Sequence, residues 1–363
     1  MFRPRSPFLG AHTNGVRQYC PLWGRPFMVA FAPLVFCRFI RGAMRQTAAR
    51  LQRVIRDAGL TAAARGARSV MHVIRGKKAL VTGAASGIGR AIALALAREG
   101  ADLCLVDIDE KELHAAAHEA ARHGVQVMTV VCDLCSPEQI STMVARMLAG
   151  WKGLDILVNS AGVAYYGPTH NMTTEQWRRV MSVNLLAPIQ LVRELISVLI
   201  AREEGHILNV CSILGLVARS KLTAYQTTKF ALVGFTLALR AEYAGKGFGV
   251  TALCPGLVRT PMLDVAEKGR PDQRLPEPPD WMMTSPDRVA AAAVAAIRRN
   301  KGLAVVTPLA RMAWWMARYA PRLMDWISRE GWRKRVKADI AADLKARDDC
   351  LAQQRPGAPP SAM

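Results

Sequence analysis

The chain has 363 residues, 51% hydrophobic and 21% charged, which argues against wholesale disorder and leaves room for one large α/β domain with extensions or two modest domains. Its net charge of +21 sits at the ends: residues 1–76 carry +12, residues 77–297 only +1 and residues 298–363 +8. With no zinc-finger spacing and no RNA-binding aromatic signature, this distribution argues against nucleic-acid binding; the charge describes basic appendages and what they meet.

Residues 1–75 form the basic, Arg-rich extension. The apolar run from Phe27 to Cys37 is interrupted by Pro33 and stopped by Arg38, too short for the ~20 apolar residues of a membrane span. Three readings fit: a targeting peptide, a surface-binding amphipathic region, or a start assigned too far upstream, since Met44 and Met71 both precede the intact domain.

From Lys77 onward, strand and helix signals alternate. Aliphatic runs predict strands at Lys78–Val81, Asp102–Val106, Val125–Val131, Leu154–Val158, His206–Cys211, Gly249–Leu253 and Leu303–Val306. Helical periodicity follows at Ile88–Glu99, Glu110–His123, Glu138–Leu148, Ala224–Tyr243 and about Leu185–Arg202. Such βαβ units predict a single doubly wound α/β domain over residues 76–307, with a seven-stranded parallel sheet covered on both faces. The eight cysteines lie mostly in apolar runs and make no disulfide framework, and Cys132-Asp-Leu-Cys135 lacks the second pair a metal site needs. No metal site is expected, and the compartment reads as reducing.

Residues 308–363 begin with an amphipathic helix in which Arg311, Arg318 and Arg322 share a face beside Met, Trp and Tyr. Three arginines exclude a comfortable transmembrane span. The helix packs on the domain or a dimer partner, or it lies on an anionic membrane. The last residues, Ala358 to Met363, read as a frayed tail.

The first strand runs into Thr82-Gly83-Ala-Ala-Ser86-Gly87-Ile88-Gly89. Gly83 permits the tight turn, Gly87 lets backbone amides approach a pyrophosphate, and Gly89 lets the new helix pack closely with its N-terminus toward the anion. Eighteen residues after Gly89, Asp107 ends the second strand, where a carboxylate accepts hydrogen bonds from ribose hydroxyls and repels a 2′-phosphate. The turn therefore predicts dinucleotide binding, with NAD preferred over NADP.

This spacing resembles the short-chain dehydrogenase/reductase family, NAD(P)-binding oxidoreductases of Rossmann fold, and the family's later motifs follow in order. Cys132-Asp133-Leu134 is similar to the segment whose aspartate meets the adenine amino group. Asn159-Ser160-Ala161-Gly162 resembles the family's Asn-Asn-Ala-Gly beneath the cofactor, with Ser160 replacing the second Asn. Met181-Ser-Val-Asn184 supplies the helix asparagine, and Pro255-Gly256-Leu-Val258-Arg-Thr260 resembles the segment that brackets the nicotinamide amide. The resemblance covers about residues 76–307. It implies a cofactor-binding set of Thr82, Gly83, Ser86, Gly87, Ile88, Gly89, Asp107, Asp133, Leu134, Asn159, Ala161, Gly162, Tyr225, Lys229, Pro255, Gly256, Val258 and Thr260.

Ser212 ends the fifth predicted strand, and Tyr225-Gln-Thr-Thr-Lys229 puts phenol and ammonium on one helix face. Hydride transfer at carbon needs proton transfer at oxygen, and a phenol of pKa about 10 is a poor base at neutral pH. A nearby ammonium and an oxidised nicotinamide are expected to lower that value. Ser212 would stabilise charge on the substrate oxygen. By family resemblance, Asn184 would anchor a water linking Lys229 to solvent. Asn184, Ser212, Tyr225 and Lys229 are thus the expected catalytic residues; Tyr165, Tyr166 and Tyr243 read as packing or pocket residues.

The segment from about Met262 to Ser285, rich in proline and ending near Trp281-Met-Met, reads as a mobile lid with apolar contacts. It points to an apolar secondary alcohol or ketone, steroid-, retinoid- or fatty-acyl-like. The rival readings are an NADPH-dependent carbonyl or 3-oxoacyl reductase, and a catalytically silent NAD-binding interaction protein. The expected assembly is a homodimer or homotetramer through the helices from about Leu185 and Ala224. The expected place is the cytoplasm, with peripheral membrane contact through the basic ends.

Overall fold

Among the described residues, aliphatic runs closed by glycine or polar turns form seven strands, and two short pairs form two more: β1 (Lys78–Thr82), β2 (Asp102–Asp107), β3 (Val127–Val131), β4 (Ile156–Asn159), β5 (Tyr165–Tyr166), β6 (His206–Val210), β7 (Gly249–Cys254), β8 (Glu267–Lys268) and β9 (Leu303–Val305). Between them lie α1 (Gly87–Arg98), α2 (Glu110–Ala121), α3 (Pro137–Trp151), α4 (Thr174–Met181), α5 (Ala187–Ile200), α6 (Thr223–Tyr243) and α7 (Pro286–Arg298), followed by α8 (Pro308–Tyr319) and α9 (Pro321–Arg329). The computed structural model describes residues 71, 73–202, 204–243, 248–263, 266–269 and 278–329. The expectations for residues 1–70, for the tail and for Pro271 and Pro276 of the lid fall outside the described residues.

Seven strands make one parallel sheet in the order β3-β2-β1-β4-β6-β7-β9. The twofold period of a strand divides each run between two cores: Ala79 and Val81 face α1, α2 and α7, whereas Leu80 faces α3 and α5. Strand order reverses between β1 and β4, which opens a crevice at the carboxyl ends of those strands. The doubly wound architecture and the seven-stranded sheet agree with the alternation in the sequence.

Two helices differ from expectation. The helix expected from about Leu185 begins at Thr174, because Thr173 and Gln176 form a reciprocal capping box, with bonds of 3.2 and 2.9 Å. From there to Ile200 the helix is continuous through a π turn at Ser182–Leu186, where the Ala187 N–H donates five residues back to Ser182. Pro188 lies four residues beyond Asn184 and removes the donor an α-helix would offer the Asn184 carbonyl, which accounts for the irregularity at that point. By length and hydropathy Thr174–Ile200 could cross a bilayer, but Leu191, Leu195 and Leu199 are buried in the core.

The expected single C-terminal helix is two. Pro321 has no N–H and crowds the preceding turn, so α8 stops at Tyr319, Ala320 leaves helical geometry (ψ 55°) and α9 starts afresh. Arg311, expected on an outward basic face, turns its guanidinium back onto the sheet and donates from Nε to the Val305 carbonyl at 3.0 Å.

Polar groups inside the sheet are paired in short chains. Asn159 Nδ2 donates to Asn209 Oδ1, and Asn209 Nδ2 donates to Thr236 Oγ1, both at 2.8 Å. The Thr251 hydroxyl gives its proton to the Lys301 carbonyl, so His206 donates to it from Nε2. Burial, with Arg240 nearby, pushes His206 down to about 3. The unfolded chain, with a histidine pKa of about 6.5, therefore binds the extra proton in the window between, and this contribution to stability is present above about pH 6.5 and lost as pH falls toward 3. His206→Gln keeps a donor and removes the titration. Urea unfolding from pH 7 to pH 5 is expected to show a slope shallower by up to about 1.4 kcal/mol per pH unit than wild type; equal slopes would refute the assignment.

Candidate active site

β1 delivers the chain into a turn where side chains do not fit. Gly83 has φ +68°, and a Cβ there would lie 2.7 Å from the Ala161 backbone. At Gly89 it would lie 1.9 Å from the Gly83 carbonyl oxygen, so α1 is seated directly on the turn. Gly87, at φ +55°, faces Thr260, whose Cγ2 would lie 3.3 Å from its Cβ. Ser86 occupies the N-cap of α1 without a side-chain bond to the first turn, which also holds no acidic residue. These are the conditions for amides and dipole to meet a phosphate. Ile88 packs against the core on the α7 side.

Asp107 is held beside this turn. Its Oδ2 accepts from Ala85 N–H at 3.0 Å, and its Oδ1 accepts from the N–H groups of Ile108 and Asp109 at 2.8 and 3.1 Å. Asp133 Oδ1 accepts from Cys135 N–H, and Leu134 is buried in the core on the α3 side. Cys132 is buried and Cys135 exposed; burial pushes Cys132 up to about 11 and raises Cys135, so both stay thiols at neutral pH. Among the described residues no cluster of His, Cys, Asp or Glu could hold a metal ion.

The segment after β4 is pinned to β1 by the Thr82 hydroxyl, which accepts from Ser160 and Ala161 N–H at 3.1 and 3.2 Å. Thr82 thus braces the crevice floor. The Asn159 side chain donates from Nδ2 to Asn209, and its buried Oδ1 has no partner. The buried Ser160 Oγ also has none. Gly162 stands where two site groups converge, since a Cβ there would lie 3.4 Å from Asn184 Oδ1 and 3.7 Å from Lys229 Nζ.

The four residues expected to act together are all buried and adjacent. Ser212, at the end of β6, lies beside the Tyr225 phenol, whose pKa it acts to lower, and accepts from Leu214 N–H. Lys229, one turn along α6 and 4% exposed, sits with Nζ 5.5 Å from the Tyr225 ring centroid and donates to the Val210 carbonyl at 2.9 Å. Asn184 spends its side chain on Val163, accepting its N–H at 2.8 Å and donating to its carbonyl at 2.9 Å, and also donates to Thr228. Sequence reasoning missed Thr228, whose hydroxyl donates to the Tyr225 carbonyl and so ties Asn184 to the Tyr–Lys helix. Its position one helical turn from Tyr225 was the available signal.

Burial raises Tyr225 to about 12 despite the lowering influence of Ser212, while burial lowers Lys229, whose ammonium donates to the Val210 carbonyl. Each group is pushed toward its neutral form.

Beyond β7, Pro255 accepts from Ile213 N–H at 2.8 Å, and Gly256 packs tightly on Thr307 and Ala310. Val258 pairs with Thr284, and Arg259 forms an ion pair with Asp280, so both ends of the lid are fastened. β8 pairs with β5 farther along. Around Tyr225 the side chains of Ala164, Leu214, Leu222, Met262 and Ala266 form an apolar cluster. Tyr165 is buried against Val180 and Ala224, and Tyr243 packs edge-on to Phe248.

A glycine cradle, an uncapped helix N-terminus and an acidic strand end fit a dinucleotide, and the buried Ser–Tyr–Lys group at the same end of the sheet fits proton transfer at an alcohol or carbonyl oxygen. Residues 77–271 match the short chain dehydrogenase family. The chain is similar to oxidoreductase UcpA of Escherichia coli (strain K12), 37% identical over 215 residues that cover 59% of this chain and 80% of UcpA. It shares its fold with a short-chain type dehydrogenase/reductase from Mycobacterium marinum (TM-score 0.56, 23% identity, covering 65% of this chain and 96% of that one). It does so also with an alcohol dehydrogenase from Thermococcus sibiricus complexed with 5-hydroxy-NADP (TM-score 0.56, 24% identity, covering 63% and 94%). The chain belongs to the short-chain dehydrogenase family. It is an oxidoreductase that uses NAD(P) on alcohol or carbonyl groups.

Because the Gly89 position abuts backbone, Gly89→Ala must displace the turn. NADH fluorescence titration is expected to show binding weakened by about tenfold or more, with far-UV circular dichroism retained. Unchanged affinity would exclude the turn as the coenzyme seat.

Proposed function

We propose that the chain moves hydride between NAD(H) and an apolar secondary alcohol or ketone, steroid-, retinoid- or fatty-acyl-like, with Tyr225 as the acid/base. The placement of Ser212 beside a Tyr225 enclosed by Ala164, Leu214, Leu222, Met262 and Ala266 carries this reading. An oxygen admitted there finds two hydroxyls and otherwise hydrocarbon, an arrangement that orients a ketone and disfavours a sugar.

NAD(P), when bound, supplies or accepts the hydride and in its oxidised form brings positive charge. The turn Thr82–Gly89 would hold the pyrophosphate, Asp107 the adenosine ribose, and Asp133 with Leu134 the adenine. Ala161, Gly162 and the stretch Pro255, Gly256, Val258 and Thr260 would bracket the nicotinamide end. Tyr225 would pass a proton at its phenol oxygen to a ketone or take one from an alcohol, while Ser212 donates to the same substrate oxygen. Lys229 would hold the nicotinamide ribose and favour the phenolate. Asn184 would position the proton path from Lys229; its side chain is committed to Val163 and Thr228, which leaves the carbonyl deprived of its helical donor by Pro188 as the group to hold a water.

NAD is the proposed coenzyme because the Asp107 carboxylate borders the turn. The proposed assembly is a homodimer or homotetramer, supported by the exposed Leu186, Phe230 and Leu237 on the two long helices. The proposed setting is the cytoplasm, with peripheral contact to anionic membranes through the basic ends.

An alcohol and ketone panel followed by NADH absorbance identifies the substrate class. On a substrate so found, Tyr225→Phe is expected to fold and bind NADH but lose nearly all turnover; more than about a tenth of wild-type kcat would defeat the assignment. Asp107→Ala is expected to lower the ratio of kcat/KM with NAD to that with NADP by about tenfold or more. An unchanged ratio removes Asp107 from coenzyme selection.

A further inference from the structure

The helix pair α8–α9 has two unlike sides. On the inner side Ala310 is buried and Trp314 packs into the cluster that holds Ile213, Leu216 and Val305, while Thr307 and Ala310 press on Gly256. That side is therefore part of the wall behind Ser212 and the Pro255–Gly256 segment. The outer side carries Met312, Trp315, Tyr319, Leu323 and Trp326, each 45% exposed or more. On α8 the spacing of 312, 315 and 319 makes one continuous face. The Trp315 and Tyr319 rings stack 4.9 Å apart, 23° from parallel.

Charge identifies the occupant. Arg318 and Arg322 are exposed beside these rings, and α8 contains no acidic residue. From α9 onward the sequence carries Arg322, Arg329, Arg333, Lys334, Arg335 and Lys337 up to residue 337, against the two acids Asp325 and Glu330. Two copies joined symmetrically through this face would bring arginines together without an α8 acid to offset them. An anionic bilayer meets both demands: indole and phenol rings settle at the headgroup level, and guanidinium groups reach lipid phosphates.

We propose that the outer face of α8–α9 docks on an anionic membrane surface. This rests on the peripheral-membrane reading above and assigns the contact to an aromatic face rather than to diffuse basic charge.

The test uses the full chain and vesicles of phosphatidylcholine with about one-third phosphatidylserine. The full chain is expected to co-sediment with these vesicles. The variant Trp315→Ser/Tyr319→Ser/Trp326→Ser is expected to lose about tenfold or more of that binding while retaining NADH binding. Arg318→Glu/Arg322→Glu is expected to bind less tightly as well. Hydrogen exchange on the unaltered chain gives a readout that needs no variant: vesicles should slow exchange of amides within residues 308–329.

Failure of the unaltered chain to co-sediment defeats the peripheral-membrane reading itself. Full binding by the aromatic variant, or exchange slowed only outside residues 308–329, leaves that reading standing and overturns the assignment to this face. A fall in native mass of the aromatic variant in sedimentation velocity would assign the face to a second copy and overturn the proposal.

Discussion

A lysine ammonium buried at the carboxyl end of the sheet is the constraint around which the site is built. Lys229 is 4% exposed and meets a backbone carbonyl, Val210, with no carboxylate ion-pair partner among the described residues. An isolated buried charge costs several kcal/mol, and a single carbonyl offsets part of that. The tension is visible in the direction of the shifts: Lys229 is pushed down and Tyr225 up, each by desolvation first. A site under that strain responds strongly to any charge brought beside it, because the surrounding medium screens little. Two neutral-leaning groups one helical turn apart form a pair whose proton is easily redistributed by a charged ligand.

Behind that pair the protein is rigid for identifiable reasons. The chain Asn159–Asn209–Thr236 links β4, β6 and α6 through buried amides. Thr228 and Asn184 link α6 to the π turn, and Thr82 links β1 to the segment after β4. Side-chain bonds thus join β1, β4, β6, the π turn and α6, each of which leads to a site residue. Gly83, Gly89 and Gly162 let those backbones approach, and two of the three tolerate no Cβ without moving backbone.

The sheet was legible because each strand is an aliphatic run closed by a turn residue, and each helix between them has its own period. The Ser212–Tyr225–Lys229 group was legible for a similar reason: a strand end and an i, i+4 pair are local patterns. What the sequence concealed depends on partners distant along the chain. The side-chain bond of Asn159 requires Asn209, fifty residues away. The rise in Tyr225 reflects burial, which a motif does not report. The start of α4 was missed because Thr-Glu-Gln-Trp-Arg-Arg has little apolar periodicity, although the Thr173–Gln176 capping box was present. The break at Pro321 had a plain signal in the proline itself, masked by the continuing aromatic pattern on either side.

The lid and the C-terminal helices share one physical problem, which is how to leave an apolar cavity accessible without exposing it. Tyr225 faces Ala164, Leu214, Leu222, Met262 and Ala266, two of which belong to the lid segment. The two ends of that segment are joined by the Val258–Thr284 pairing and the Arg259–Asp280 ion pair, and β8 within it pairs with β5. The ion pair is largely exposed, so it contributes little to stability and its bonds exchange readily with water. The cavity floor is held from the far side by α8, through Thr307 and Ala310 on Gly256 and Arg311 on Val305. The proton-transfer group is thereby braced from the α8 side through the Pro255–Gly256 segment.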